Sequence, residues 1–558
     1  TPATRTITVT APADAAKNVV VGQAQEGLST PDLDYSVMSV LPLNNSLRAQ
    51  LIATNAKPTL LPQLIDNAAA SIAYKATADA ANSITTTSDG KTNFWPSANT
   101  QFAFILPPNT TLLANEGLRG TVNSQSQSMP GTANTAQKFV TFTAAAGANL
   151  FEARAIPIVP LNDANTASNY PLFRLEASDS ANVALAQLDV TLPVGNPMDC
   201  ATGCHATGGI AADAAETERL GGGITWSTQT DLANQAKENI WIIHAALHGL
   251  PAADTTNDTC TRCHYTPLAD PDGAGPKGTQ QVALPSLSVA VHRLHGLAFG
   301  AAPPSATAPA ILADDKCGTC HESGGAKLNR GAMFSATLTC KDCHGGMLAV
   351  AAQTNLATTP PRPRVPYVDQ PRCESCHIGD AVTENGNTVV LRTAYVDTDP
   401  AATPRLEPTS HYAQQEGKGF VDSTGHGNLT CPACHGVTHA EWPVDDPLAN
   451  DNVTPSQLQG HRGVLTECNV CHVGGLDVKV LGGPHGIHAI NDPAWVEQHG
   501  PVYTADPAVC RACHGLTLEG MYLSRAATAR NFVKSDGTPI AYTEGQIVGC
   551  ADCHAMPN

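Results

Sequence analysis

The sequence predicts two architectures in one chain: an N-terminal all-β, sandwich-like domain over residues 1–195, then a loop-rich region over 196–558 with short helices and little regular structure. Three observations predict this. Residues 1 to about 195 hold neither cysteine nor histidine, whereas all 18 cysteines and all 20 histidines lie from Cys200 onward. The first part alternates apolar and polar residues in short runs between Asn, Gly, Pro and Ser clusters, which is the period of antiparallel strands. The second part is crowded with paired cysteines, and the chain holds 46 Gly and 41 Pro against only 5% aromatic residues.

In chain order the alternating runs are Thr6–Thr10, Gln101–Ile105, Lys138–Phe142, Arg154–Val159, Leu172–Leu175 and Ala186–Leu192. Each reads as a strand of the sandwich. One helix is expected to interrupt them near Leu60 to Tyr74. Nothing in these residues spells out a catalytic constellation, and the domain reads as a docking or spacer unit.

From Cys200 every cysteine belongs to a pair followed at once by histidine. Eight pairs read Cys-x-x-Cys-His: Cys260/Cys263-His264, Cys317/Cys320-His321, Cys340/Cys343-His344, Cys373/Cys376-His377, Cys431/Cys434-His435, Cys468/Cys471-His472, Cys510/Cys513-His514 and Cys550/Cys553-His554. The ninth, Cys200/Cys204-His205, has one extra residue between its cysteines, and Ala201-Thr202-Gly203 is small and flexible enough to bulge by it.

This spacing is that of c-type haem attachment. Two intervening residues set both sulfurs on one side of a helical turn, where they form thioethers to the vinyl groups, and the next histidine takes the iron as proximal ligand. Composition alone gives about 0.02 such motifs by chance, so the repetition is not accidental. A zinc ribbon has no need of histidine after each pair. A thioredoxin-type site would occur once, and a disulfide framework belongs to short secreted chains. Nine haems at roughly 39 residues each leave little protein for a conventional core. The porphyrins must supply much of the buried apolar surface, and the region without them is expected to be largely unfolded.

Nine proximal histidines leave eleven others: His244, His248, His292, His295, His411, His426, His439, His461, His485, His488 and His499. Eleven candidates for nine sixth positions is close to a full complement. With seven methionines, among them Met333 and Met347 beside motifs, the histidine surplus favours bis-His ligation and low potentials. His244/His248 and His292/His295 stand four and three residues apart in helical stretches, so each pair shares one helix face. One iron has a single open axial position, so such a pair most simply serves two neighbouring haems. Arg262, Lys341, Arg372 and Arg511 lie beside motifs and are expected to neutralise propionates. Asp270-Pro271-Asp272-Gly273 lacks EF-hand spacing and reads as a turn.

The net charge of −18 and the pI near 5.5 argue against nucleic acid or anionic membrane partners. No run of 18 or more apolar residues is present, so no transmembrane segment is expected. The chain reads as a mature, exported protein, because haem attachment of this type happens outside the cytoplasm, in the periplasm. With no N-terminal cysteine to carry a lipid, it is expected to be soluble or held by protein partners.

From about Pro171 to its end the sequence resembles the large extracellular multihaem c-type cytochromes of metal-respiring and related bacteria. The resemblance is carried by Leu188–Pro193, Glu238-Asn239-Ile240 ahead of His244, Cys260–Tyr265 and Val291–Gly296. It is carried further by Gly425-His426-Gly427, Cys434–Pro443, Leu458–His461, Gly482–His488 and Cys513-His514-Gly515. Among these relatives are outer-surface decahaem reductases, caps of porin–cytochrome conduits and subunits of cytochrome filaments. The chain departs from the decahaem pattern in having nine motifs and an expanded first one. The resemblance implies bis-His ligation by the matching histidines. It also implies electron transfer to other redox proteins or extracellular acceptors, at the outer-membrane surface, beyond the cell, or along a homo-oligomeric filament. The competing expectation is a multihaem reductase with one open-coordination haem acting on a small inorganic substrate. Such an enzyme is often announced by a motif ending in lysine, and none is present.

Overall fold

The computed structural model of the 558-residue chain describes residues 17–25, 31–35, 43–55, 61–103, 111–116, 127–144, 147–251, 260–266, 275–300, 317–321, 327–352, 362–366, 368–377, 393–395, 403–406, 412–446, 448–473, 481–490, 493–534 and 536–556. Nine N-terminal strands form two antiparallel sheets. In the first, β1 (Asn18–Ala24), β2 (Asn44–Ala53), β7 (Leu150–Pro157) and β6 (Thr141–Thr143) lie side by side in that order, and β3 (Gln63–Ile65) also pairs with β2. In the second the order is β5 (Gln137–Lys138), β4 (Ala70–Thr77), β8 (Leu172–Asp179) and β9 (Ala184–Thr191).

Alternation along the strands builds the core. Ala70, Ile72, Tyr74 and Ala76 of β4 are buried while the residues between them are half-exposed. On the neighbouring strand Tyr74 stands opposite Leu175. Leu47 and Leu51 of the first sheet join Ile72, Phe173, Leu175 and Val190 of the second in one apolar cluster.

Three expectations are corrected here. The run Lys138–Phe142 is not one strand, since Lys138 ends β5 of the second sheet while Thr141 and Phe142 belong to β6 of the first. The described part of Leu60–Tyr74 is not helical but holds β3, a tight turn and the start of β4. The Asp66 carboxylate accepts the backbone N–H groups of Ala68 and Ala69, both at 3.1 Å, and reverses the chain. From Ala70 the apolar period is two, not 3.6. Gln101, expected at the start of a strand, instead ends the helix Phe94–Gln101. Phe94, Ala98 and Phe102 recur every fourth residue and are all buried, so the helical period wins over the short Gln-Phe-Ala alternation. Phe104 and Ile105, and the run Thr6–Thr10, lie outside the described residues.

Beyond Thr191 the chain uses short helices, 3₁₀ turns and loops, as expected. The longest helices are Leu232–His248, Leu287–Gly300 and Pro493–Ala505. Asp231 starts the first by accepting the N–H of Asn234 at 2.9 Å, and Gly249 ends it with a left-handed φ of 65°. A purely protein core there is small; one cluster holds only Ala352, Ala394 and Tyr395.

The motif region also returns to the sheets. Val437 and Ala440 complete the sandwich core. Gln50 accepts the N–H of Thr430 at 2.9 Å and donates to the Asn428 carbonyl at 3.0 Å. Buried Arg48 pairs with buried Glu152 at 3.0 Å and reaches across to Asp422 at 2.7 Å and the Val421 carbonyl at 2.8 Å.

Candidate haem sites

The described motifs end their turns by a shared device. The N–H of the histidine donates to the carbonyl of the first cysteine: His264 to Cys260 at 2.8 Å, His321 to Cys317 at 3.0 Å, His377 to Cys373 at 2.8 Å, His472 to Cys468 at 2.9 Å and His554 to Cys550 at 3.2 Å. In the expanded motif His205 still bonds to Cys200, at 3.0 Å, now across five residues instead of four. A π-type turn absorbs the extra residue, and Gly203 takes it up with a φ of 75°. The insertion therefore leaves histidine placed against the first cysteine as in the other motifs.

Eight proximal imidazoles meet a second imidazole. Ring centres are 6.2 Å apart for His205–His295, 6.3 Å for His264–His244, 5.7 Å for His321–His292 and 6.0 Å for His344–His439. They are 6.0 Å apart for His435–His485, 5.9 Å for His472–His426, 6.4 Å for His514–His488 and 5.8 Å for His554–His499. Two metal–imidazole bonds of about 2 Å each, with the ring radii added, separate ring centres by about 6 Å. The pairs thus fit an iron held between two rings.

The other ring nitrogen is anchored in many of them. Nδ1 lies 2.8 Å from the Pro285 carbonyl in His264, 2.7 Å from Ser288 in His292 and 2.8 Å from Val291 in His295. In His439 it lies 3.1 Å from the Leu328 carbonyl, and in His514 3.0 Å from Val548. An Nδ1–H donated to a carbonyl fixes the tautomer whose lone pair is on Nε2 and orients the ring for a metal. Burial also pushes these groups toward the neutral, ligating form. It takes His205, His321, His435 and His488 down to about 4, and His344 to about 3.

The remaining candidates are placed differently. His248 sits 4.6 Å from His244, so that pair converges beside His264, while His292 and His295 face two different proximal histidines. His461 uses both nitrogens, Nδ1 at 2.8 Å from the Arg462 carbonyl and Nε2 at 3.1 Å from the Glu467 carboxylate. Burial lowers its pKa, but these two bonds carry it above the usual value. His411 lies outside the described residues. Its neighbour Tyr412 stands 5.5 Å from His377 and 4.9 Å from His485, with its hydroxyl 3.9 Å from the Cys513 sulfur.

None of the 18 cysteines is in a disulfide. Burial, and after it the neighbouring Cys376, pushes the Cys343 thiol up to about 12; burial and then Cys431 do the same to Cys373. Burial and then Cys471 act likewise on Cys434.

Two of the expected thioether cysteines are exposed, Cys263 and Cys320, and the others are half-buried. Cys263 is exposed, whereas Cys260, at the other end of the same four-residue helix, is half-buried. The helix is too short to turn both sulfurs away from solvent: Thr261 takes its buried face, and Arg262 and Cys263 are left outside. Cys553 is half-buried just past the 3₁₀ turn Cys550–Asp552, and its sulfur lies 3.9 Å from the Tyr542 hydroxyl, a protein partner. The haem assignment of all the cysteines rests on the motif spacing.

Among the described residues no three His, Cys, Asp or Glu side chains converge to hold a bare metal ion. Of the basic residues beside motifs, Arg372 is paired with Glu374 and Arg262 donates to Gln280 at 2.8 Å. The Asp270–Gly273 turn lies outside the described residues.

Sequence reading missed two aromatic supports. Trp495 stacks on His488 at 4.3 Å, and Trp241 lies near-parallel to His244 at 5.6 Å. Trp241 precedes His244 by one helical turn, a spacing that was legible; nothing local marks Trp495 as a partner of His488.

Motifs, opposed imidazoles and a motif region with little protein core of its own define the class: a multihaem c-type cytochrome with an electron-transfer role. The family model for cytochrome c3 matches residues 312–387, the stretch holding Cys317/Cys320, Cys340/Cys343 and Cys373/Cys376. No curated protein and no solved structure matches the chain. Among the described residues no helix is long and apolar enough to cross a membrane.

Proposed function

We propose that the chain carries nine c-type haems, each iron closed by two imidazoles, and conducts electrons along them to extracellular acceptors or along a cytochrome filament. The observation that carries this reading is the set of eight His–His pairs at 5.7–6.4 Å, each containing one motif histidine. Distal ligands are then His244, His292, His295, His426, His439, His485, His488 and His499, with His411 the candidate for the iron of His377. His248 and His461 are the two histidines in excess.

When bound, the haems supply one-electron redox chemistry. The protein residues do the rest. Cysteine pairs would fix each ring covalently, and imidazole pairs would keep the same ligands in both oxidation states. Neighbouring motifs are tied together, as where the N–H of Leu465, three residues ahead of Cys468, donates to the Cys434 carbonyl at 2.9 Å, which would bring their rings close. Export, attachment in the periplasm and a place at or beyond the outer-membrane surface follow from that chemistry and from the resemblance. Redox proteins, mineral or soluble acceptors, or further copies of the chain are the partners.

The second reading, a reductase with one open-coordination haem, has a specific location: His377, opposite which the described residues place Tyr412. Intact-mass measurement and carbon monoxide titration of the reduced protein separate the two. Nine haem adducts with no carbon monoxide band are expected. Far fewer adducts would overturn the count, and one equivalent of carbon monoxide bound would favour the reductase.

A further inference from the structure

Arg364 is 1% exposed, the largest fully buried side chain among the described residues. Its Nη1 donates to the His344 carbonyl at 2.8 Å and the Ala349 carbonyl at 3.0 Å, and its guanidinium lies 4.1 Å from the centre of the Tyr395 ring. Nε and Nη2 are buried with no hydrogen-bond partner. Two other buried arginines with an unbonded Nε are each neutralised through Nη2: Arg330 by Asp451 at 2.8 Å, Arg530 by Glu467 at 2.6 Å. Among the described residues no carboxylate pairs directly with Arg364, and Asp369 acts on it only through space. Asp369, five residues on, is claimed by Arg362 at 2.7 and 2.8 Å and by the Val365 N–H at 2.7 Å.

A buried cation with two orphaned donors costs several kcal/mol unless an anion answers it. The Nε–Nη2 edge of arginine is a fork that matches one carboxylate. The location says which carboxylate. Arg364 is anchored on the backbone of His344 and of Ala349, and the turn Met347–Val350 around Ala349 packs against the helix that carries His292. Those two imidazoles belong to the facing pairs His344–His439 and His321–His292.

Resting on the haem assignment above, we propose that Arg364 is a buried receptor for a haem propionate, taken by its Nε and Nη2 from the haem on Cys317/Cys320 or the haem on Cys340/Cys343. The cation then offsets the propionate charge beside that iron and raises its potential. Sequence reading passed Arg364 over because it lies 20 residues beyond the nearest preceding motif histidine, His344.

The test uses the holoprotein with all its haems. Haem stoichiometry and low-spin electron paramagnetic resonance first establish that the haem assignment itself holds. In potentiometric titrations Arg364→Met is expected to move one low-spin component to lower potential, by at least tenfold in its reduction equilibrium, and Arg364→Lys to restore most of the shift. Full haem content with every component unmoved in Arg364→Met would overturn the proposal, as would equal shifts in both variants. A density map of the unaltered holoprotein decides independently of either variant. A carboxylate within hydrogen-bond distance of Nε or Nη2 is expected, and tracing it to its ring names the haem. Only water or protein atoms there would overturn it.

Discussion

His292 and His321 face each other with ring centres 5.7 Å apart and planes within 8° of parallel. His205 and His295 stand at 6.2 Å with planes at 90°. Both spacings suit an iron between two imidazoles, but the two orientations do different things to it. Parallel rings donate π density into the same iron orbital and split the pair of d orbitals that perpendicular rings leave nearly equal. The low-spin ferric spectrum should therefore show two classes of signal. His344–His439 (6°), His514–His488 (12°) and His554–His499 (13°) join the strongly rhombic class, and His264–His244 (89°) joins the class with a large maximal g value. Electron paramagnetic resonance with spin quantitation checks this; a single homogeneous class would contradict the ring geometry.

The distinction between ligand and surplus histidine can be read by substitution. His292→Ala should open one iron, giving about one equivalent of carbon monoxide binding on reduction and a new high-spin signal. His461→Gln should do neither, because Nε2 of His461 is held by Glu467 at 3.1 Å and not turned to a proximal ring. Carbon monoxide binding in His461→Gln would make His461 a ligand after all.

The same histidine gives a pH dependence whose sign follows from its environment. Burial lowers the pKa of His461, but the bonds to Glu467 and the Arg462 carbonyl outweigh it, so the folded value lies above the unfolded one. The stabilisation is then fully present below the unfolded value, about 6.5 for a histidine, and is lost as pH rises through the folded one. The stability difference between wild type and His461→Gln should shrink across that window on going alkaline. A difference that grew with pH would reverse the assignment.

What the sequence made legible follows from how local each feature is. A haem motif is complete within five residues, so Cys260 to His264 announces itself, and even the expanded Cys200 motif keeps its histidine bonded to the first cysteine. The same locality hides how unequal the two sulfurs of one motif are: the spacing treats Cys260 and Cys263 alike, yet only Cys263 is exposed. The pairing of distal to proximal histidines is a tertiary property: His439 reaches His344 from almost a hundred residues away, with nothing in its own neighbourhood to say so. Strands such as Leu172–Asp179 showed their alternation. The run Gln101–Ile105 reads as a strand by itself, and only Phe94 and Ala98 upstream show that its first residue continues a helix. Leu60–Tyr74 misled because the turn at Asp66 divides it into two strands whose periods are too short to see separately. Arg364 was invisible for another reason: its meaning lies in donors left without a partner, and a sequence does not show burial.

Arg48 and Glu152 hold the sheets and the motif region together, which makes their pair a probe of whether the two parts unfold as one. Glu152 is 1% exposed and accepts from Arg48 at 3.0 Å and from Arg154 at 2.6 Å; Arg48 continues to Asp422 and the Val421 carbonyl. Glu152→Gln removes the buried negative charge while keeping the shape, leaving Arg48 with only the half-exposed Asp422. Breaking a buried pair by removing one partner costs about 3 kcal/mol, and Asp422 keeps the loss near that lower end. The more exposed pair Arg219–Glu216 is the control, where Glu216→Gln should cost no more than about 0.5 kcal/mol. Urea unfolding followed by far-ultraviolet circular dichroism for the sheets and by Soret absorbance for the haem region checks both. If the β-domain is a docked part of the haem scaffold, Glu152→Gln lowers the two transitions together. If the sheet signal alone moves while the Soret transition stays at its wild-type midpoint, the Arg48 bridge does not couple them.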